Sequence, residues 1–279
     1  MKKCAILFIS SVILSVLLFN CANNIETEPS NVNKKDVKME KLSSSSSPEM
    51  VKLLFAKTQI NGVGMPYKIK VFIEVENVSP TKEVILHYTE TMTSDTSWRD
   101  QQAVYLGKGI DNKDVFVAEL GFASPGSSFF DLNVIFAIKY SVNGTVYWDS
   151  NDGNNYKVAI AGRWNQNIPH YILKNSIIAL SEANISGSTL TGSIILKNLN
   201  YYKTIKVVYT TDGWKTSNEI LAQYSGSNGI GDEMWNFNST LPTDSNNIEF
   251  VISYQYENQT IWDNNFGKNY KMTIPSNLF

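Results

Sequence analysis

The sequence predicts an all-β fold made of two tandem antiparallel β-sandwiches, and three observations support that prediction. First, the eleven residues 148–158 are matched by 262–272, which indicates two copies of one module. Second, Asn143-Gly144 and similar turn signals divide each copy into short segments. Third, polar and apolar residues alternate within these segments, as strands with one buried face require. The clearest run, 68–76, places four apolar residues on one face: Ile69, Val71, Ile73 and Val75.

The first twenty residues have the composition of an export signal. Lys2 and Lys3 give a basic start, and residues 5–19 are apolar apart from a few serines. A run of 15 residues is short for a membrane-spanning helix but suits the core of a signal peptide. We therefore predict a signal peptide at residues 1–20.

Cys21 follows this segment directly, after Leu-Leu-Phe-Asn at residues 17–20, which is the pattern of a relaxed bacterial lipobox. The pattern predicts that Cys21 is acylated. The chain would then be an exported, membrane-anchored lipoprotein at the periplasmic face or the cell surface. The other cysteine, Cys4, lies inside the signal, so the mature chain would contain no disulfide. A plain secretory signal cleaved at another position is the alternative.

Residues 21–49 are predicted to form a flexible tether. Asn, Glu, Lys and Ser dominate the segment, residues 43–47 are all serine, and apolar residues are scarce. Such a stretch cannot bury enough apolar surface to offset the entropy lost on ordering. As a coil of about 28 residues, it would span roughly 30 Å and hold the folded part away from the membrane.

The remaining chain divides into module 1 (residues 50–160), a linker (residues 161–171) and module 2 (residues 172–279). Each module has about 100 residues and several short strands, which predicts an immunoglobulin-like sandwich. Alternating segments occupy matching places in the two modules: 84–88 and 134–142 in module 1, and 205–209 and 250–256 in module 2.

The repeated eleven residues, here called the cassette, form a polar segment that carries aromatic residues. The two copies share seven identities, namely Trp, Asp, Asn, Gly, Asn, Tyr and Lys. An aromatic ring can pack on the apolar C–H face of a pyranose, while amides and carboxylates hydrogen-bond to its hydroxyls. The composition of the cassette therefore favours sugar binding.

The cassette resembles the Trp-x-Asn-Asn-x-Gly-x-Asn-Tyr signature of the family 21 carbohydrate-binding modules. Module 2 has every fixed residue of this signature, whereas module 1 has Ser150 in place of the first Asn. Residues 207–216, which include Trp214, are similar to the family's strand and Trp-bearing loop, and residues 87–100, with Trp98, are a looser counterpart. The resemblance spans both modules. It implies starch- or glycogen-binding β-sandwiches, as in some amylolytic enzymes and in glycogen-targeting subunits of protein phosphatase 1.

The cassettes and the two Trp-bearing loops supply the candidate sugar-binding residues. Other roles remain open: Trp148 and Trp262 could be core residues, the tyrosines could belong to the last strand, and the asparagines could cap the loop's own backbone. Gly153 and Gly267 are expected to serve the turn by permitting positive φ. The predicted sugar-binding residues are Trp98, Trp148, Asp149, Asn151, Asn155, Tyr156, Trp214, Trp262, Asp263, Asn264, Asn265, Asn269 and Tyr270.

Composition and motifs argue against nucleic-acid binding, catalysis and metal binding. A net charge of −2 gives no electrostatic basis for binding nucleic acid. The two histidines, His87 and His170, have no nucleophile in a recognisable motif, and paired carboxylates are not kept in both cassettes. Residues 149–160 are similar to a calcium loop, but Ile160 occupies the place of its acidic ligand. We expect no enzymatic activity, no cofactor and no metal.

These inferences combine in one hypothesis: non-catalytic binding of α-glucan, a glycogen- or starch-type polysaccharide, by a membrane-anchored lipoprotein. The main alternative is a surface adhesin or structural lipoprotein that uses its sandwiches for protein contacts. A third hypothesis, an accessory subunit that recruits an enzyme to glucan, lacks a docking motif. The basic residue-Val-x-Phe pattern is absent, because Lys70-Val71-Phe72 has no spacer, and the sequence identifies no protein partner.

We predict that Cys21→Ser releases the chain from membranes, because it removes the thiol that acylation requires. The parent chain should partition into the detergent phase of a membrane extract and the variant into the aqueous phase. Cys4→Ser, inside the signal, is the matched control and should behave as the parent. Retention of the Cys21→Ser chain in the detergent phase would contradict the lipid assignment.

Overall fold

A computed structural model describes residues 49–60, 67–91, 97–122, 132–161, 170–227, 231–242 and 246–275. The signal segment, Cys21, nearly all of the tether and most of the linker lie outside the described residues. Within these ranges one short 3-10 turn, Ile110–Asn112, accompanies nineteen β-strands, so the predicted all-β class is confirmed. None of the described residues forms a helix of the length and apolarity that a membrane crossing needs.

Module 1 is a sandwich of two antiparallel sheets. One sheet has the strand order β1-β2-β6-β5, and the other has the order β4-β3-β7-β8, with β9 paired to β7. The strands are β1 (Val51–Ile60), β2 (Tyr67–Val75), β3 (Lys82–Glu90), β4 (Arg99–Gln102), β5 (Val104–Lys108), β6 (Asp114–Phe122), β7 (Leu132–Val142), β8 (Thr145–Asp149) and β9 (Tyr156–Ala161).

Module 2 repeats this arrangement strand for strand. A short strand, β10 (Tyr171–Leu173), precedes it and pairs with β1, so it extends the first sheet of module 1. The two sheets of module 2 have the orders β11-β12-β16-β15 and β14-β13-β17-β18, with β19 paired to β17. The strands are β11 (Ile178–Ser186), β12 (Thr189–Lys197), β13 (Lys203–Thr210), β14 (Asn218–Leu221), β15 (Gln223–Ser227), β16 (Asp232–Thr240), β17 (Asn247–Tyr256), β18 (Gln259–Asp263) and β19 (Tyr270–Thr273).

Each sandwich has its own core, formed by the side chains that alternation directs inward. Ile69, Val71, Ile73 and Val75 of β2 are all buried, as the sequence pattern predicts. Burying one such aliphatic side chain stabilises a fold by about 1.5–3 kcal/mol. In module 2 the alternating residues of β13 and β17, the counterparts of β3 and β7, are buried in a separate cluster: Ile205, Val207, Tyr209, Phe250, Ile252 and Tyr254.

A third apolar cluster joins the two modules. It contains buried residues from both sides: Leu54, Phe55, Phe72 and Val115 of module 1 with Leu173, Ala179 and Ile195 from β10 onward. The rings of Phe55 and Phe72 stack with centroids 4.1 Å apart, and Phe266 of the second cassette lies 6.0 Å from Phe72. Module 2 therefore covers the outer face of β1 and β2 and is held against module 1.

Polar contacts complete this junction. The carbonyl oxygen of Leu54 accepts hydrogen bonds from three successive backbone N–H groups, those of residues 174–176, at 3.0–3.1 Å. The buried Lys57 Nζ donates to the carbonyl oxygen of Leu180 at 2.5 Å. Burial lowers the pKa of Lys57 to about 8, although the carboxylate of Asp263 opposes this shift. The junction thus satisfies its buried polar groups across the two modules.

Phe266 offers a direct test of the docked arrangement, because module 1 has Asp152 at the same cassette position. We expect Phe266→Asp to lower the free energy of unfolding by about 1–3 kcal/mol, since it removes apolar contact with Phe72 and places a charge there. One calorimetric transition should also become two, as the modules lose their coupling.

The exposed Asp152 supplies the control. Asp152→Phe should change the free energy of unfolding by no more than about 0.5 kcal/mol. An unaltered calorimetric profile for Phe266→Asp would show that the modules do not depend on this contact.

Candidate functional site

The two cassettes fold into the same loop, which links β8 to β9 in module 1 and β18 to β19 in module 2. Four of the six residues after each strand have positive φ: Asn151, Asp152, Gly153 and Asn155 in one, and Asn265, Phe266, Gly267 and Asn269 in the other. Asn and Gly tolerate this left-handed conformation best, which explains why the sequence keeps them there. The repeated pattern therefore specifies the backbone path of the loop.

Several cassette side chains hold the loop closed. The Asn151 Nδ2 group donates to the carbonyl of Asn155 at 3.2 Å, and Asn265 makes the same bond to Asn269 at 3.0 Å. Asn264 Oδ1 accepts from the Gly267 N–H at 3.0 Å. In module 1 Ser150 Oγ accepts the equivalent bond from Gly153 at 3.3 Å, so Ser150 replaces the family's Asn in this role. The side chains of Asn151 and Asn265 therefore cap the loop's own backbone, whereas Asn155 and Asn269 contribute only their carbonyl oxygens to these bonds.

Each cassette is also fastened to the opposite sheet through its aspartate. In module 1 Asp149 Oδ2 accepts from the backbone N–H of Leu53 at 2.7 Å, and Oδ1 accepts from the N–H of Asn151 at 3.2 Å. The Tyr156 hydroxyl lies 2.8 and 3.0 Å from the two carboxylate oxygens. Leu53 belongs to a β-bulge in β1, where the ladder register shifts.

Module 2 repeats these contacts with its own residues. Asp263 Oδ2 accepts from the N–H of Leu180 at 2.8 Å, beside the bulge of β11, and Oδ1 accepts from Asn265 at 3.2 Å. The Tyr270 hydroxyl lies 2.9 and 2.8 Å from the two oxygens. We call this set of bonds, present in both modules, the aspartate staple.

The aspartate staple changes the interpretation of four predicted sugar contacts. Tyr156 is only 3 % exposed, and the oxygens of Asp149 are occupied by the bonds above. Asp263 and Tyr270 are engaged in the same way. We therefore assign these four residues to positioning the cassette rather than to touching a ligand, because their polar atoms are turned to partners inside the fold.

The pKa shifts of the tyrosines and of Asp263 agree with this positioning role. Burial and the adjacent carboxylate raise the pKa of Tyr156 and of Tyr270, so both hydroxyls remain donors at neutral pH. Burial also raises the pKa of Asp263, whereas hydrogen bonds and the Lys57 cation oppose that rise. A carboxylate in such a place is stable only with its full set of donors.

Module 1 presents a continuous aromatic surface beside its cassette. The Trp98 ring stacks on the His87 ring with centroids 4.7 Å apart, and His87 meets the edge of Trp148 at 5.6 Å. His87 Nδ1 lies 2.6 Å from the carboxylate of Asp100. Trp98 and Trp148 are 40 % and 51 % exposed. The Asn155 side chain, which has no hydrogen-bond partner within the described residues, adds an available amide.

Module 2 holds its two tryptophans differently. Trp214, which has φ of +68°, donates its backbone N–H to Thr210 Oγ1 at 3.0 Å and its indole N–H to Glu249 at 2.9 Å. Asn269 Nδ2 donates to the same carboxylate oxygen at 2.7 Å. Trp214 and Trp262 are 39 % and 52 % exposed, and no ring contact joins them within the described part of the chain.

The structure therefore rejects the interpretation of Trp148 and Trp262 as core residues, because about half of each side chain is exposed. It also reveals aromatic residues that sequence analysis missed. Sequence analysis considered His87 only as a catalytic candidate, because the stacking partners of its ring are set by strand register. Module 2 additionally exposes Tyr201, Tyr202 and Tyr224, which lie outside the cassette. Among the described residues, no group of three or more His, Cys, Asp or Glu side chains could hold a metal ion.

Comparison with known proteins identifies the same two regions. The model of the carbohydrate/starch-binding module (family 21) matches residues 48–159 and 172–273, so the predicted resemblance and its two copies are confirmed.

Similar proteins include protein phosphatase 1 regulatory subunit 3C-B of Danio rerio, 32% identical over 110 residues, which are 38% of this chain and 35% of the relative. Glycogen-binding subunit 76A of Drosophila melanogaster is 31% identical over 86 residues, which are 29% of this chain and 12% of the relative. The match thus spans about a third or less of these relatives. Among solved structures, this chain is similar to the starch binding domain of Rhizopus oryzae glucoamylase in complex with beta-cyclodextrin and maltoheptaose. It has 34% identity, a TM-score of 0.33, and coverage of 36% of this chain and 97% of that chain.

The aspartate staple predicts a specific cost for losing one hydroxyl. Tyr156→Phe should lower the free energy of unfolding by about 1–3 kcal/mol, because it leaves a buried carboxylate short of one donor. Tyr270→Phe should have a similar effect. Denaturant titration measures both.

Tyr147→Phe is the control, since the Tyr147 hydroxyl makes no hydrogen bond within the described residues. Equal stability of Tyr147→Phe and Tyr156→Phe would contradict a structural role for the aspartate staple.

Proposed function

We propose that this chain, which belongs to the carbohydrate/starch-binding module family 21, binds α-glucan on the exposed tryptophans of both modules without altering the polysaccharide. One observation carries the proposal: where each cassette begins, at the end of a strand, an aspartate hydrogen-bonded inside the fold stands next to an exposed tryptophan. In module 1 that tryptophan joins Trp98 and His87 in one aromatic surface. Such a surface suits the C–H faces of consecutive glucose rings.

Polar groups around the module 1 surface supply the hydrogen bonds that a sugar requires. Asn155 offers a side-chain amide that has no hydrogen-bond partner among the described residues. Asp100 and Lys139 pair with His87 and Trp148 in the strand register and so flank the rings. Amide, carboxylate and ammonium groups can bond to sugar hydroxyls without forming a closed pocket. The family description names starch, and one relative is named a glycogen-binding subunit, which favours α-linked glucose polymers over other glycans.

A purely binding role is part of the proposal. The His87 ring contacts two tryptophans and the carboxylate of Asp100. The Nδ1 atom of His170 lies 3.3 Å from the carbonyl oxygen of Ala159. Neither histidine is therefore placed beside a nucleophile among the described residues. We further propose, from the sequence alone, that Cys21 anchors the chain to a membrane as a lipoprotein. The modules would then retain glucan at a membrane surface.

Each module contributes separately to the retention of the protein on a long polysaccharide. Stacking on one or two rings gives weak affinity, on the order of 0.1–1 mM for a single surface. Two surfaces held on one body raise avidity for a polymer by about 10-fold or more. Because the junction fixes module 2 on module 1, this gain does not depend on a flexible linker.

We expect Trp148→Ala and Trp262→Ala each to weaken retention on insoluble starch and glycogen by about 10-fold, and the double change to abolish it. Cellulose and chitin should retain none of the proteins, and a chelator should leave binding unchanged.

Val146→Ala, an exposed residue on the same strand as Trp148, is the matched control and should bind as the parent does. Melting temperatures should stay near that of the parent because both indoles are exposed. Folded single and double variants with full retention would refute the proposed function.

A further inference from the structure

A cleft lies between the modules, next to the second cassette. Its volume is about 560 Å³. Module 2 lines it with cassette residues that include Trp262 and Asn264. Module 1 lines it with Lys108 at the end of β5 and with residues 109–111 and 113 of the turn between β5 and β6. We call this space the intermodule cleft. Trp148 does not line it, so the surroundings of the two cassettes differ.

The two walls of the intermodule cleft have the chemistry of a sugar site. Trp262 is half exposed on one wall, and Ile110 is 79 % exposed on the other. The Asn264 Nδ2 group and the Asp111 carboxylate make no hydrogen bond within the described residues, so both are free to bond to hydroxyls. Apolar faces with a few unengaged amide and carboxylate groups are characteristic of carbohydrate sites.

The turn from module 1 is held firmly in place. Asp111 and Asn112 have φ of 53° and 60°, a conformation that the surrounding contacts must maintain. The Gly109 N–H donates to the carbonyl of Lys113 at 2.9 Å, and Lys108 Nζ donates to that of Asn112 at 3.2 Å. A Cβ atom on Gly107 would lie only 3.0 Å from the Phe266 carbonyl oxygen. The end of β5, which leads into the turn, therefore approaches the second cassette closely.

Charge in the intermodule cleft favours a neutral ligand. Three lysines line it, Lys52, Lys108 and Lys113, and three carboxylates balance them, Glu74, Asp111 and Asp263. The lysines are already paired: Lys52 with Glu74 at 3.1 Å, Lys108 with Asp114 at 2.6 Å, and Lys113 with Glu76 at 2.9 Å. An anionic ligand would gain little there, because each cation already has a partner.

We propose that the intermodule cleft is an extended subsite that takes a further segment of the α-glucan chain bound on Trp262, so that module 1 contributes residues to the site of module 2. This inference rests on the proposed function. It assigns Ile110 and Asp111 to ligand contact, whereas sequence analysis placed no site residue in that turn. The second site would thus prefer longer chains than the open surface of module 1.

The test uses the full chain carrying Trp148→Ala, so that module 2 alone reports binding, and titrates it calorimetrically with maltotriose and maltoheptaose. Adding Ile110→Ala and Asp111→Ala should weaken maltoheptaose binding about fivefold and change maltotriose binding less than about twofold. Val78→Ala, another exposed apolar residue of module 1, is the matched control and should alter neither affinity.

The possible outcomes separate this inference from the proposed function. Unchanged maltoheptaose affinity in the cleft variant, with binding by the Trp148→Ala chain intact, would overturn the subsite alone. Equal losses for both oligosaccharides would also overturn it, since the turn would then belong to a short site. No binding of either sugar by the unsubstituted chain would overturn the proposed function, and the subsite with it.

Discussion

The aspartate staple is the constraint on which both exposed tryptophan surfaces depend. A bulge interrupts the first strand of each sandwich, and the cassette aspartate accepts a hydrogen bond from a backbone N–H of that bulge. A buried N–H without a partner and a buried carboxylate without donors would each be costly, so joining them resolves both problems. Side chains alternate along a strand, so a tryptophan next to an inward aspartate must face outward. The staple therefore fixes where Trp148 and Trp262 are displayed.

One substitution between otherwise similar cassettes distinguishes the two modules. Asp152 is exposed at the tip of the first loop, whereas Phe266 in the second loop packs against Phe72 of module 1. The same backbone conformation thus serves an open loop in one copy and a junction in the other. This docking holds the two tryptophan surfaces on one body and encloses one side of the surface around Trp262. The two copies of the loop therefore have different surroundings because one position carries Asp152 in module 1 and Phe266 in module 2.

The sequence predicted most of the fold because alternation and turn residues are local signals. Ile69 and its neighbours on β2 were placed on the correct face without any structure. Sequence also indicated the exposed tryptophans, through the repeated cassette. It listed Asp149 and Tyr156 as sugar contacts, because the N–H that Asp149 accepts belongs to Leu53, 96 residues away along the chain, and the Tyr156 hydroxyl bonds in turn to Asp149. The apolar run Leu53-Leu54-Phe55 breaks strict alternation and was the available signal that β1 is covered on both faces.

The most direct test of this account follows the indole N–H resonances of the six tryptophans while maltoheptaose is added to the labelled chain. The four exposed indoles, Trp98, Trp148, Trp214 and Trp262, should shift as sugar reaches about 1 mM. Trp235 should remain unmoved, because its side chain is partly buried and packs against the core of module 2. Unmoved resonances for the two cassette tryptophans at saturating sugar would contradict the claim that the aspartate staple displays them for α-glucan.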